Sequence, residues 1–519
     1  MKKKHMQIQL LALILMTITA CTVGPEYRRP KTPVADSFQN APEHIQQVLA
    51  AGTFSHWWRN LEDPWLDQAV NSLLEDNLQL KEAAARVQQA WAQLGIARGS
   101  RLPGLSVSGS AARTGVGSDA TSSLSSQNFG NVPSGQPVQT GNNSGVTTGT
   151  ASTESGSNRI YFTRLEAGIS TSWQVDLFGK LERSTAAARL NYQASLVNAE
   201  ALVHSLIAEL ARRRISQATL KQRIELAEET VENRNLTLKI VERRYRRGIA
   251  DTSTRDVYLA RENLAAAASQ IPNLKSQLSE QFHLVDVLLG LPPGTTSPEE
   301  IDMPQLPPPD AVSIGLPARL IDNRPDLRAN ELRMAAGVER IGVAVADLYP
   351  DLTLTGSVGF QNDELSGFFN STNLVGSIMG DIMVRLFDGG RLRAGIDLRE
   401  AEARELAAAY ARNVLTALEE VETALSNDRY FAAQIELLED RLENIRKAAQ
   451  LQEEQYQRGL VSLLDVLVTE RRRYQAEQEY LLTAQAAWNN RIALYLALGG
   501  DWFDRQIDFK PMRVPWEDL

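Results

Sequence analysis

The sequence is poor in the residue types on which most enzymes and metalloproteins depend. Its 519 residues include one cysteine and five histidines, and only 6 % are aromatic. A single cysteine excludes an intramolecular disulfide. The histidines are not spaced as metal ligands, and no glycine loop suited to a phosphate occurs, so we expect no metal, no cofactor and no enzymatic activity. The net charge is −9, and no basic run follows the first residues, which argues against a nucleic-acid partner.

Long apolar runs are also absent, apart from a short one near the N-terminus. Lys2–Lys4 precede the apolar stretch Leu10–Ile18, which is too short to span a bilayer and is typical of an export signal. The small residues before Cys21 look like a bacterial lipobox. That likeness implies removal of residues 1–20, acylation of Cys21 (as with palmitate) and, since Thr22 follows, an anchor at the outer membrane. No later stretch approaches the roughly 18 apolar residues of a transmembrane helix, so membrane passage would need a closed β-barrel.

Two stretches nearly lack the residues that break helices. Residues 180–247 contain no glycine or proline, and residues 391–458 contain one glycine, Gly395, and no proline. Both are rich in Ala, Leu, Glu and Arg, with apolar residues at helical spacing. Each stretch predicts one helix of roughly 100 Å, far longer than the helices of a globular core.

Similar short segments flank both stretches, which indicates an internal duplication. Residues 175–180 (VDLFGK) resemble residues 384–391 (VRLFDGGR) before the long helices. Residues 245–249 (YRRGI) resemble residues 456–460 (YQRGL) after them. We therefore expect two repeats of one structural unit rather than several unrelated domains.

Alternating apolar and small polar residues predict four strands, and glycine and proline signals delimit the other elements. The predicted division is a signal peptide (1–20), a lipidated, extended lead-in (21–64), a first repeat (65–300), a linker (301–320), a second repeat (321–500) and a C-terminal tail (501–519). The predicted elements are first helices at about 65–98 and 324–348, strands at about 104–112, 164–177, 351–360 and 377–387, long helices at 180–247 and 391–458, and return helices at 253–289 (kinked at Pro272) and 462–498. Residues 113–159 are almost entirely Ser, Thr, Gly and Asn, which predicts a long exposed loop.

Four strands of about ten residues can cross a bilayer, but a transmembrane barrel needs about eight. Either the four strands form a soluble sheet, or several chains contribute to one barrel. Export, acylation and the position of the strand hairpins beside very long helices favour the second interpretation. The fold class is then mainly α with a membrane β-barrel part, built from a duplicated helix–strand–strand–helix–helix unit.

The sequence resembles the outer-membrane factor family, the TolC-like exit ducts, and in particular the lipoprotein branch of RND-type efflux systems. The likeness rests on motifs that occur in order along nearly the whole mature chain: 21–27 (CTVGPEY), 324–328 (RPDLR), 342–350 (GVAVADLYP), 386–391 (LFDGGR), 456–467 (YQRGLVSLLDVL) and 497–502 (ALGGDW). The resemblance implies a homotrimer with a twelve-stranded β-barrel in the outer-membrane lipid and a long periplasmic α-helical barrel. It also implies docking of a periplasmic adaptor (membrane fusion protein) and an inner-membrane RND-type pump.

The function implied by this resemblance is an exit duct that passively conducts small molecules, such as drugs and toxic compounds, from the pump and adaptor to the outside. Such a duct would contribute to multidrug resistance. Two alternatives remain: an outlet for type I secretion, and a lipidated periplasmic coiled-coil adaptor or envelope tether. The strand-length segments argue against the adaptor, which has no need of membrane-spanning strands.

In this family the turn after each long helix constricts the periplasmic mouth and carries acidic pore-lining residues. Asp465 at the second turn and Asp256 at the first are therefore candidates for the pore or gate. The alternative is structural, because Ser462 with Asp465, and Ser253 with Asp256, each match a capping box. An acid in the first turn of a helix is also stabilised by the helix dipole. Val468 stands where some relatives have a second acid.

The same turns carry six residues that are candidates for latch contacts within the duct or for contact with an adaptor: Tyr245, Arg247, Gly248, Tyr456, Arg458 and Gly459. The alternative assigns the arginines to helix C-termini, where cations are favoured, and the tyrosines to packing at the hairpin ends. Both glycines are predicted to be left-handed helix C-caps.

Overall fold

The computed structural model describes residues 22–30, 56–117, 152–153, 159–248, 252–297 and 324–499. The signal peptide, Cys21, most of the loop predicted at 113–159, the linker and the C-terminal tail lie outside these residues. The helices are α1 (Pro64–Asp76), α2 (Leu78–Gly99), α3 (Lys180–Arg246), α4 (Thr254–Ala268), α5 (Gln270–Leu288), α6 (Pro325–Ala346), α7 (Arg391–Gln457) and α8 (Leu463–Ala497). The strands are β1 (Gly104–Gly117), β2 (Ser152–Thr153), β3 (Arg159–Val175), β4 (Asp351–Asn362) and β5 (Leu374–Met383).

The two halves of the chain present their elements in the same order. In each half a helix precedes two long strands, then comes a helix of 67 residues, and then a helical return. Both 67-residue helices end one residue before the predicted bound. They are uninterrupted because proline is absent from both, and Gly395, whose added Cβ would meet nothing within 4 Å, is tolerated in α7.

The chain forms two compact units. The sheet unit consists of the described residues within Met1–Glu26, Gln93–Ala187 and Val338–Glu400. The helical unit consists of the described residues within Tyr27–Ala92, Ala188–Gly337 and Ala401–Leu519. α3 and α7 contribute to both units, so each long helix is shared between a strand-rich and a helix-rich environment.

The sheet is antiparallel, with strand order β1-β3-β4-β5. The short strand β2 adds only two residue pairs to β3. Among the described residues, β1 and β5 are therefore the edges of the sheet, each with one unpaired side. β5 is exposed along its whole length, so its outer edge has no cover within the described chain.

The strand register sorts the side chains onto two chemically different faces. One face is apolar, since Val107 lies opposite Ile169 and Ile169 opposite Val358. The other face carries a row of serines at one level across all four long strands, namely Ser106, Ser170, Ser357 and Ser377. The Oγ atoms of Ser106 and Ser170 are 2.8 Å apart, as are those of Ser357 and Ser377. The alternation of apolar and small polar residues in the sequence thus corresponds to one apolar and one polar face of the sheet.

The strand ends differ from the predicted bounds, and strand pairing explains the difference. β1 continues past residue 112 because β3 provides partners along all 14 of its residues. β5 begins at Leu374 and ends at Met383, so the strand predicted at 377–387 was wrong at both ends. Met383 pairs with Asp351, the first residue of β4. Pro350 precedes Asp351 and has no N–H to donate, so the ladder stops there.

Two helices predicted as single elements are interrupted, each for a local reason. Asn77 separates α1 from α2, because its side chain accepts a hydrogen bond from the Leu80 N–H at 3.0 Å and donates to the Leu288 carbonyl at 2.7 Å. The kink predicted at Pro272 occurs, but α4 ends at Ala268. That position is four residues before Pro272, where the proline ring displaces the helical carbonyl.

The core of the helical unit forms where α1, α3 and α8 pack together. The lead-in, predicted to be extended, contains a 3-10 helix at Trp57–Leu61 whose Trp57 is 1 % exposed. By length and composition α3 contains one segment apolar enough to cross a membrane, but half of that segment is buried within the protein. The fully buried Ile207 and Leu210 of α3 belong to this core, so packing accounts for the apolar character of the helix.

Each half has an ion pair between the start of a short helix and a long helix, with the charges reversed. In the first half Asp63 precedes Pro64, and its carboxylate accepts a 2.5 Å hydrogen bond from Arg214 of α3. In the second half Arg324 precedes Pro325 and donates to Glu420 of α7 at 2.6 Å. The first pair is almost completely buried, with side chains 4 % and 1 % exposed.

The first described residues form a strap that lies on the sheet unit. The Val23 N–H donates to the Phe178 carbonyl at 3.2 Å, and Arg183 donates to the Pro25 carbonyl at 3.0 Å. Gly24 has a φ of 101°, and a Cβ there would lie 2.6 Å from the Cα of Gly342. Only glycine fits this close backbone approach.

Candidate functional site at the hairpin turns

α3 and α7 each end in a turn from which the chain returns as α4 or α8. At the second turn Gly459 has a φ of 77°. Its N–H donates to the Tyr456 carbonyl at 2.9 Å, and the Leu460 N–H donates to the Gln455 carbonyl at 3.0 Å. This pair of bonds is the Schellman motif. Gly248 at the first turn has a φ of 65°, so the prediction of two left-handed glycine caps is confirmed.

Both predicted capping boxes are present at the starts of the return helices. The Ser462 N–H and Oγ donate to the Asp465 carboxylate at 3.2 and 2.7 Å. The corresponding distances from Ser253 to Asp256 are 2.8 and 2.9 Å. Asp465 is exposed, whereas Asp256 is half-buried. The Asp465 carboxylate thus caps its helix and still presents charge to solvent.

A shared apolar core lies under the two turns and joins all four helix ends. Its buried members are Val241, Val257, Ala260, Tyr456, Leu463 and Val466. Two residues come from α4 and two from α8, so each return helix packs on the same cluster as the long helices. The two turns are therefore in direct packing contact through this cluster.

The most specific contact between the two hairpins is made by Arg244 of α3. Its guanidinium donates to the Tyr456 carbonyl at 2.7 Å and lies 4.8 Å from the centre of the Tyr456 ring. This carbonyl also accepts the Gly459 N–H of the Schellman motif, so the arginine adds a second, charged donor to the same oxygen. Burial raises the pKa of the Tyr456 phenol above its usual value, an effect that Arg244 opposes and Asp256 strengthens.

The sequence-predicted residues at the turns have different environments. Tyr456 is buried and contacts the other hairpin, and Tyr245 accepts a hydrogen bond from the Thr254 hydroxyl within its own turn at 3.1 Å. Arg247 and Arg458 are exposed. Sequence reasoning missed Arg244, although it stands in the basic run 243–247 (RRYRR) that closes α3.

The described residues of the two turns offer charge and shape at their surface. Among the described parts of the chain, no cluster of three His, Cys, Asp or Glu side chains is placed to hold a metal ion. The chain presents the exposed Asp465 carboxylate close in sequence to the exposed Arg458. Such a surface can bias the passage of ions or bind another protein.

Comparison with known proteins places this geometry in a family. The family model described as outer membrane efflux protein matches residues 69–291 and 316–500. The chain is 29 % identical to the outer membrane protein OprJ of Pseudomonas aeruginosa, over 94 % of this chain and 95 % of OprJ. It is 26 % identical to the cation efflux system protein CusC of Escherichia coli O6:H1, over 94 % of this chain and 97 % of CusC.

Solved channels share the architecture as well as the sequence pattern. The outer-membrane channel OprN superposes with a TM-score of 0.79 at 29 % identity, covering 93 % of this chain and all of OprN (100 %). Mostly helical chains with a small strand part are thus common to this protein and to outer-membrane channels. The protein acts as an outer-membrane duct of a tripartite efflux pump. The chain belongs to the outer membrane efflux protein family.

Proposed function

We propose that three copies of this chain close one β-barrel of twelve strands in the outer membrane. The observation that carries the proposal is the open sheet: four long antiparallel strands, fewer than the roughly eight that a membrane barrel needs, with β1 and β5 as its edges. Because the number of long strands is even, β5 of one copy runs antiparallel to β1 of the next. Three copies then close the ring without a mismatched pair, and no edge remains exposed.

The two faces of the sheet suit this barrel. On the apolar face Ile378 is 93 % exposed and Val107 is 80 % exposed, which is unfavourable in water but favourable against lipid. The opposite face, with its row of serines, would line the aqueous lumen. The helical units of the three copies would continue the duct in the periplasm, with the hairpin turns as its mouth.

The proposed partners are a periplasmic adaptor and an inner-membrane RND-type pump, which would dock at the hairpin turns. The duct itself would conduct passively and catalyse no reaction, since the pump supplies the energy. Small molecules such as drugs and toxic compounds are the proposed cargo, in keeping with relatives named for toluene efflux and cation efflux. The alternative of a type I secretion outlet uses the same duct with a different pump.

We also propose that the mature chain begins at an acylated Cys21. Cys21 lies outside the described residues, but its neighbour Thr22 does not. Thr22 lies against Gly179, since a Cβ on Gly179 would be 3.1 Å from the Thr22 Cβ. The Val23 N–H donates a hydrogen bond to the carbonyl of the adjacent Phe178. Gly179 lies between the end of β3 and the start of α3, which in the proposed topology is the periplasmic membrane surface. Acyl chains on Cys21 would enter the inner leaflet of the outer membrane at that level.

Asp465 is the proposed gate residue. Three exposed carboxylates around a narrow axis would create a negative potential that favours cations. Asp256 is the weaker candidate, because it is half-buried within its own capping box. The exposed Arg458 of each copy would oppose this potential, so the strength of selectivity depends on which side chain points to the axis.

The gate is tested by conductance of purified protein in planar bilayers. We expect the wild type to conduct weakly and to prefer cations, and Asp465→Asn to lose part of that preference, since asparagine can still cap the helix but has no charge. Asp256→Asn makes the same change at the other capping box, and we expect it to reduce the preference less than Asp465→Asn does, because Asp256 is the weaker candidate. Unchanged ion selectivity in Asp465→Asn would leave only the capping role.

The barrel is tested by the oligomeric state in detergent. We expect a particle of three chains by light scattering and a gel mobility that changes on heating, as stable barrels show. A folded monomer in mild detergent would contradict the barrel and favour a periplasmic adaptor or tether. Loss of the gene should raise sensitivity to exported compounds if the duct serves efflux, whereas loss of a secreted protein from the medium would favour type I secretion.

A further inference from the structure

The loop between β4 and β5 carries an apolar surface that the duct function does not explain. Residues 363–373 connect the two strands. Leu365 is 80 % exposed and Phe369 is 75 % exposed, whereas the intervening Phe368 is buried. Two large apolar side chains fully presented at the tip of a hairpin would be costly in water, since each leaves most of its area unburied.

The direction in which this loop folds follows from the strand register. Phe360 near the end of β4 lies opposite Ala167 and Leu374. Two residues before it, Val358 lies on the same face, which is the apolar face that also carries Ile378. Phe360 is therefore on the face assigned to lipid and not on the face with the serine row.

Three aromatic rings hold the loop against that face. The Phe360 ring centre is 5.5 Å from that of Phe369 and 6.4 Å from that of Phe368, and the two loop rings are 5.0 Å apart with nearly perpendicular planes. Such edge-to-face contacts stabilise a fixed arrangement. The loop thus bends outward over the apolar face, away from the face proposed to line the lumen, and extends that face beyond the end of the strands.

The loop also satisfies many of its own backbone polar groups, which lowers the cost of placing it at the interface between the headgroups and the hydrocarbon. The Asn362 side chain donates to the Glu364 carbonyl at 2.8 Å and to the Ser366 carbonyl at 3.4 Å. The Gly367 carbonyl accepts from the Asn370 N–H at 2.9 Å and from the Asn373 side chain at 3.0 Å.

We propose that residues 363–373 form a wedge at the membrane interface, from which the side chains of Leu365 and Phe369 reach the acyl chains of the outer leaflet. The inference rests on the proposed barrel, because the lipid face is defined by it. Its physical basis is that the apolar side chains of the loop continue the lipid-facing surface of the sheet. The rings of Phe360, Phe368 and Phe369 hold the loop in that position. The loop then anchors the outer rim of the barrel in the bilayer and is not a lid over the pore.

Site-specific photocrosslinking tests the wedge in intact outer membranes. The photoreactive phenylalanine analogue p-benzoylphenylalanine replaces Phe369, and adducts are identified by mass spectrometry. Ile378, in the middle of the apolar face of β5, is the positive control, and Ser377, its neighbour on the opposite face, is the negative control. We expect the analogue at position 369 to give lipid adducts in a yield similar to that at position 378. At position 377 we expect no lipid adducts.

The possible results separate the wedge from the barrel. Lipid adducts at Ile378 together with protein adducts at Phe369, either to a neighbouring copy or to residues 118–151 of the same chain, would overturn the wedge and leave the barrel standing. Lipid adducts at Ile378 with no adduct at Phe369 would do the same. Absence of lipid adducts at Ile378 would overturn the barrel, and the wedge with it.

Discussion

Replacing Arg244 by glutamine tests whether one contact holds the two hairpin turns together. The substitution removes a charged hydrogen bond of 2.7 Å to the Tyr456 carbonyl and a cation–ring contact at 4.8 Å. A hydrogen bond to a charged group contributes about 1.5–3 kcal/mol, and a cation–ring contact at a partly exposed site contributes about 0.5–1 kcal/mol. The sum is about 2–4 kcal/mol of resistance to local opening of the turns.

Hydrogen exchange measured by mass spectrometry reports that opening directly. When exchange proceeds through this local opening equilibrium, a loss of this size speeds exchange roughly 30- to 700-fold, since each 1.4 kcal/mol is a factor of ten. We expect the acceleration in peptides covering residues 450–462, with the strands unaffected. Arg247→Gln is the matched control, because Arg247 is an exposed arginine of the same turn. Unaltered exchange in Arg244→Gln, or equal acceleration in Arg247→Gln, would refute this account of the turn.

Three further substitutions test the fold and the anchor. Arg214→Met leaves the Asp63 carboxylate buried without its cation and should lower the free energy of unfolding by about 3–5 kcal/mol, seen as a lower heat-denaturation temperature. The control Arg213→Met removes a half-exposed ion pair and should lower the free energy of unfolding by less than about 1 kcal/mol. Equal losses would contradict the role of burial. Gly459→Ala forces a side chain into the left-handed region and should destabilise the turn by about 1–2 kcal/mol, measured by exchange at that turn, whereas Gly395→Ala within α7 should stabilise it. Cys21→Ser should lack acyl chains and be impaired in sorting or assembly while keeping its fold, and mass spectrometry that finds no acyl chain on the wild type would contradict the anchor.

The long helices could be predicted almost to the residue because their determinants are local. Proline is absent from both, and the residues that end them are glycines, which act through their own backbone conformation. The strand ends were harder to predict because the partner strand determines them. Met383 ends β5 only because Pro350 limits β4, and no pattern within residues 374–387 contains that information.

The candidate site was predictable in its caps and not in its contacts. Ser462 and Asp465 form a capping box that four consecutive residues specify. The contact between Arg244 and Tyr456 joins residues 212 positions apart, and the choice of Arg244 over its neighbouring arginines depends on how α3 faces α7. The charge reversal between the Asp63 and Arg324 pairs was hidden for the same reason, since a duplication is recognised by similar residues and not by exchanged ones.

The row of serines on the sheet has a consequence for any solute that moves along that face. In the pairs Ser106–Ser170 and Ser357–Ser377 either hydroxyl can be the donor, because rotation about the Cβ–Oγ bond reverses the roles without moving the backbone. A passing molecule therefore meets groups that can match a donor or an acceptor equally well. None of them carries a charge that would hold the molecule in place. The serine row itself can therefore solvate chemically different compounds without binding any of them through charge.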